Sequence, residues 1–142
     1  MTPLVSVRRA VAGALATLAM LSMPVTGAER WVTLPDQPDS YASLDSGSIF
    51  RMPSGPVSAW VRVEASNRTG MRSLQRMFGA FRGDMADFLY TVDCRSRQFS
   101  VSQAKLYQGA LTVTEKLAND AGWQRVDGVG LASEVARQLC PQ

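Results

Sequence analysis

VSAWVRVEA, residues Val57 to Ala65, is the stretch from which the architecture follows. Val57, Ala59, Val61 and Val63 alternate with Ser58, Trp60, Arg62 and Glu64. Successive side chains of an extended chain point to opposite faces, so this period of two predicts a β-strand with one face in the core. The other face carries Trp60, which is either covered by another element or exposed for binding. Trp60 is therefore the candidate exposed aromatic.

The same rhythm runs outward from this strand. Upstream, RWVTL (Arg30 to Leu34) is stopped by Pro35 and Pro38, and SYASLD (Ser40 to Asp45) passes through the turn signal Ser46-Gly47 into SIFRM. Downstream, DFLYTVDC puts Phe88, Tyr90, Val92 and Cys94 on one face. QFSVSQAKLYQ and, past Gly109, ALTVTEKL follow at the spacing of an antiparallel meander. Trp31, Tyr90, Phe99 and Trp123 sit in strand-like runs and are expected in the core. The rhythm changes in LASEVARQLC, where Leu131, Val135 and Leu139 recur every four residues beside the ridge Ala132, Ala136 and Cys140, the pattern of an amphipathic helix. Five to six antiparallel strands with a C-terminal helix make an α+β fold.

One segment departs from the strand pattern. In NRTGMRSLQRMFGAFRGD (Asn67 to Asp84), Met71, Leu74, Phe78 and Phe81 form an apolar helical stripe, predicting an inserted helix near residues 70–82. Gly79 interrupts the pattern and Gly83 offers a stop. Arg68, Arg72 and Arg76 recur every four residues, Arg82 follows, and no acid occurs from Ala65 to Gly83. These four arginines are the candidate site for an anionic partner such as lipid, lipopolysaccharide or a sulfated polysaccharide. The alternative is a helix packed on the sheet with its arginines in water. Arg82-Gly83-Asp84 matches an integrin-binding tripeptide and is equally good loop chemistry. Asn67-Arg68-Thr69 is a formal glycosylation acceptor, relevant only in a eukaryotic source.

The N-terminus reads as an export signal. Arg8 and Arg9 precede about 14 apolar and small residues, Pro24 breaks the run, and Thr26 and Ala28 suit a cleavage site after Ala28. The run is shorter than the roughly 20 residues of a membrane-spanning helix. The expected organisation is a cleaved leader, residues 1–28, and a single domain, residues 29–142. Of 15 basic and 12 acidic residues, loss of Arg8 and Arg9 leaves 13 against 12, a balance that gives no global attraction to nucleic acid. No cysteine stands at the cleavage site, so the product is expected to be periplasmic or extracellular and not a lipoprotein.

An exported chain meets an oxidising compartment, and two cysteines leave a single pairing, Cys94 with Cys140. The chain contains no histidine and no CxxC. Its acids Asp45, Glu64, Asp87, Asp93, Glu115, Asp127 and Glu134 are scattered singly, and its serines lack a histidine base. No enzymatic activity, cofactor or metal site is expected.

These pieces together resemble the surface-adhesin protein E-like domain family of Gram-negative bacteria. The resemblance rests on RWVTL, YASLDSGSI with Asp45, AWVRVE around Trp60, LYTVDC ending in Cys94, QFSVSQAKLYQG with Tyr107 and Gly109, and the closing VARQLC. It implies an antiparallel sheet with a C-terminal helix tied to it by a disulfide, and a binding role, since the founding member binds host matrix and plasma proteins such as laminin and vitronectin. This chain departs from that member in lacking the lipid-carrying cysteine and in the helical character of Met71 to Phe81. The expected function is therefore a small exported binding domain with a protein partner, the alternative being an envelope protein that contacts anionic lipid or lipopolysaccharide through Arg68, Arg72, Arg76 and Arg82.

Overall fold

The computed structural model describes residues 30–79, 81–109, 111–116 and 122–141. The leader and cleavage site read from the sequence lie outside them. Among the described residues there are eight strands: β1 (Trp31–Thr33), β2 (Ser40–Asp45), β3 (Phe50–Arg51), β4 (Val57–Ala65), β5 (Met85–Asp93), β6 (Gln98–Gln108), β7 (Leu111–Lys116) and β8 (Gln124–Arg125). The helices are α1 (Arg68–Phe78) and α2 (Leu131–Leu139). All pairings are antiparallel, in the order β1-β2-β4-β5-β6-β7. The short β3 extends the β2 edge by pairing with β4, and β8 extends the β7 edge by pairing with β6. The α+β architecture expected from the pattern is the one observed.

Register explains which residues meet. Val57, Ala59, Val61 and Val63 of β4 lie opposite Val92, Tyr90, Phe88 and Ala86 of β5, so the apolar halves of both strands share one face. Strand β6 contributes Phe99 and Val101, then Ala104 and Leu106, and these two pairs are out of phase for an ideal strand. A register shift between Leu89 and Tyr90, where Gln103 and Val101 are the successive partners, inserts one extra residue and returns the apolar side chains to the core.

Both helices lie on that apolar face. Val135 and Leu139 of α2 are buried against Leu34, Ala42, Leu44, Val57, Ala59, Val61 and Val92. The Cys94–Cys140 disulfide joins the end of β5 to the residue after α2, with the two Cα atoms 5.5 Å apart. Closing a loop of this length contributes about 4 kcal/mol in the chain-entropy model. Leu74 of α1 packs in a second cluster with Phe81, Ala86, Phe88, Ala104 and Leu106.

The start of α1 is fixed by Asn67, whose side-chain oxygen accepts from the Gly70 N–H at 3.0 Å and whose amide donates to Asp39 at 2.9 Å. With both ends of its side chain in use, Asn67 is a helix cap. The helix ends earlier than the Met71–Phe81 stripe suggests. Gly79 adopts φ 60° and ψ −92°, outside the helical region and open mainly to glycine, so the stop falls there rather than at Gly83. Phe81 lies beyond the helix, tucked back under it with its ring edge-on to Phe78 at 6.0 Å. The Arg82-Gly83-Asp84 tripeptide is not a free loop tip: the Asp84 carbonyl accepts from the Ala65 N–H at 2.7 Å, and Gly83 lies against the Tyr107 carbonyl.

Candidate functional site

With both helices on one side, the opposite face of the sheet is left without a covering element among the described residues. Alternation and register fix its membership. Ser58, Trp60, Arg62 and Glu64 of β4 face the same way as Leu89, Asp87 and Met85 of β5, Tyr41 and Ser43 of β2, and Phe50 of β3. Gln103, Lys105 and Tyr107 of β6 continue the row, and Trp31 of β1 completes it from the edge.

Arg62 organises the centre. It donates to both carboxylate oxygens of Asp87, at 2.8 and 3.0 Å, and its guanidinium lies 4.2 Å from the Trp31 ring centroid and 5.2 Å from that of Tyr107. The Tyr107 hydroxyl donates to Asp87 Oδ2 at 2.5 Å and accepts from Arg62 at 3.3 Å. Asp87 is thereby buried on the face that no helix covers, by the side chains stacked over it. The Asp87 hydrogen bond raises the Arg62 guanidinium further above its ordinary value, and burial, reinforced by Asp87, raises the Tyr107 hydroxyl. Arg62, Asp87 and Lys105 lie in one cross-strand row, and the Lys105 ammonium sits 3.9 Å from the centroid of Trp60. Lys105 has no carboxylate partner among the described residues.

The flank toward β1 is locked separately. Asp45 is buried, accepts from Arg30 Nε and caps the turn Ser46–Ser48 through the Gly47 N–H at 3.0 Å. The Ser48 hydroxyl donates to the Asp45 carbonyl at 2.7 Å and accepts from the Trp60 N–H at 2.8 Å. The YASLDSGS segment thus sets the backbone from which Trp60 projects. Around this centre Tyr41 and Phe50 are 55% and 59% exposed, so both rings are available to a partner. The face can stack, accept and donate hydrogen bonds, and present apolar area.

The structure places the sequence candidates as follows. Trp60 is on the uncovered face and half-buried, with Lys105 over its ring. Arg68, Arg72, Arg76 and Arg82 are exposed on the opposite side of the sheet, on and just after α1, and do not join this cluster. Cys94 and Cys140 form the predicted bridge. Two aromatics expected in the core are elsewhere: Trp31 stacks on Arg62 on the uncovered face, and Trp123 is 47% exposed before β8. Tyr90 and Phe99 do face the core, stacked at 6.0 Å. Arg62, Asp87, Lys105 and Tyr107 are not among the sequence's candidate site residues, although Tyr107 carries part of the family resemblance and Asp87 is one of the scattered acids. Their signal was a charge or hydroxyl in the middle of an alternating strand, out of phase with its apolar residues.

Among the described residues no three acidic, cysteine or histidine side chains are grouped as a metal site would need, and no helix is long and apolar enough to cross a membrane. Neither a family model nor a curated protein sequence matches the chain. A solved structure does: a crystal structure of Haemophilus influenzae protein E superposes with a TM-score of 0.54 at 10% sequence identity, covering 78% of this chain and 87% of that one. At that identity the likeness is one of fold, and the resemblance drawn from sequence holds at that level.

Proposed function

We propose that this chain is an exported, non-enzymatic binding domain that docks a protein partner on the uncovered face of its sheet. The observation that carries this is composition at a defined place. Five of the chain's eleven aromatics, Trp31, Tyr41, Phe50, Trp60 and Tyr107, gather there with Arg62, Met85 and Leu89. Aromatics, Met and Arg are the types enriched where proteins meet, whereas a solvated sheet face is ordinarily rich in Lys, Glu, Thr and Ser. The central side chains are already fixed by the Asp87 network, which lowers the ordering cost of association. The fold shared with protein E agrees with a binding role, and the disulfide suits an oxidising compartment outside the cytoplasm.

Site-specific photo-crosslinking of the full chain in its native host tests this. A crosslinker at Phe50 or Trp60 should give a discrete protein adduct, while one at the exposed position Gln138 of α2, on the helical side of the sheet, should not. Adducts from none of these positions, or equally from all, would remove the uncovered face as the binding site. Laminin and vitronectin are the first purified probes, because the family resemblance points to host matrix and plasma proteins. Binding to either should fall at least tenfold in a Phe50→Ala/Trp60→Ala variant.

A further inference from the structure

The geometry points to a second binding surface on the helical side of the sheet: the arginine face of α1 as a docking site for the phosphate headgroups of an anionic phospholipid bilayer. Arg68, Arg72, Arg76 and Arg82 are all exposed, and among the described residues none is paired with a carboxylate. The helix is held from its other side, where Gly70 and Leu74 are buried, so Arg68, Arg72 and Arg76 stand on a fixed element, with Arg82 in the coil after it.

From Arg68 to Arg76 the stripe advances about 12 Å along the axis and turns about 80° around it, a patch nearly as wide as it is long. Such a patch matches a two-dimensional array of anions better than a single threaded polymer. A shallow recess of about 600 Å³, lined by Thr69, Arg72, Gln75, Arg76 and Gly79, lies within it. The cations are all arginine, whose planar fork pairs with phosphate through two parallel hydrogen bonds.

The same arrangement works against the free helix. Arg68 stands in the first turn, where the helix dipole disfavours a cation, and that turn holds no acid. Arg68 with Arg72, and Arg72 with Arg76, are like-charge pairs four residues apart, which destabilise a helix. A layer of anions relieves both effects. The surface is independent of the uncovered aromatic face, from which the sheet separates it, so the two can be occupied together.

Co-sedimentation of the mature chain with vesicles tests the assignment. Phosphatidylglycerol–phosphatidylethanolamine vesicles should bind it at physiological ionic strength and phosphatidylcholine vesicles should not. Binding should vanish near 1 M salt, where screening shrinks to about 3 Å. Each arginine near the surface is worth about fivefold in partitioning, so Arg68→Gln/Arg72→Gln/Arg76→Gln should lose on the order of 100-fold. The corresponding lysine variant should keep most of the affinity, and Arg95→Gln/Arg125→Gln, at the other end of the sheet, should change little. The glutamine variant should melt at or above the parent temperature; if it fails to fold, Arg72→Glu alone should still lose at least fivefold. Equal binding by parent and glutamine variant, equal loss in the control pair, or retention on a soluble sulfated polysaccharide without vesicle binding would overturn the proposal. None of these results bears on crosslinking from Phe50 or Trp60, so the two readings fail separately.

Discussion

Replacing Asp87 by alanine tests the core of the uncovered face. Asp87 accepts two hydrogen bonds from Arg62 and one from the Tyr107 hydroxyl, and it is 3% exposed. Removing one partner of a buried ion pair costs about 3 to 5 kcal/mol, mostly because the remaining charge is stranded. The Arg62 side chain keeps 28% of its surface in water and can rehydrate in part, which places the expected loss at the lower end, about 3 kcal/mol. For a domain of this size that is a fall in Tm of roughly 10 to 15 °C. Denaturant unfolding of Asp87→Ala, Arg62→Met and the double variant gives the measurement. The double variant should be less destabilised than the sum of the singles by about 1.5 to 2 kcal/mol, because the second change removes the stranded charge. Near-ultraviolet circular dichroism should lose intensity in the same variants as Trp31 and Tyr107 are released from Arg62. A loss below about 0.5 kcal/mol for Asp87→Ala, or strict additivity in the cycle, would refute the view that this carboxylate anchors the face.

Three further outcomes are expected. Cys94→Ala/Cys140→Ala, or full reduction, should lower the unfolding free energy by about 4 kcal/mol, and the native protein should show no thiol accessible to alkylation until it is reduced. Burial pushes the Tyr90 hydroxyl up to about 12, so the fold gains from keeping it neutral only while the unfolded tyrosine is also protonated. Stability should therefore decline between about pH 10 and pH 12, by about 2 to 3 kcal/mol in all, and Tyr90→Phe should flatten that decline in pH-dependent denaturation. Gly70→Ala improves intrinsic helix propensity by about 1 kcal/mol, yet its Cβ would fall 2.0 Å from the Asp39 carbonyl oxygen. The steric term should win, with a net destabilisation of about 1 kcal/mol or more by thermal melting.

The fold was legible where one interaction dominates. Strands β4 and β6 and helix α2 have apolar faces deep in the core, so their spans emerge from periodicity almost residue for residue. The α1 boundary is hidden from periodicity because Phe81 is apolar and in helical phase, although it reaches the core from the coil after Gly79. Strand β8, two residues long, carries no periodicity at all. For the site, Trp60 could be placed on the non-core face by counting alone. Arg62, Asp87 and Lys105 could not be joined, because their meeting depends on the register of three strands, and register is set by turns and a bulge rather than by any one segment. The phase break between Val101 and Ala104 was the visible trace of that bulge.

The position of the disulfide bears on how the molecule fares among proteases. Cys94 and Cys140 enclose 45 residues that include β6, β7 and β8. A peptide bond cut anywhere in that span leaves two fragments still covalently joined, with α2 tethered at its last turn to the strand whose core it caps. The nicked chain would therefore run as one species until reduced, keeping its packed helix in place in surroundings where hydrolysis of exposed segments is routine.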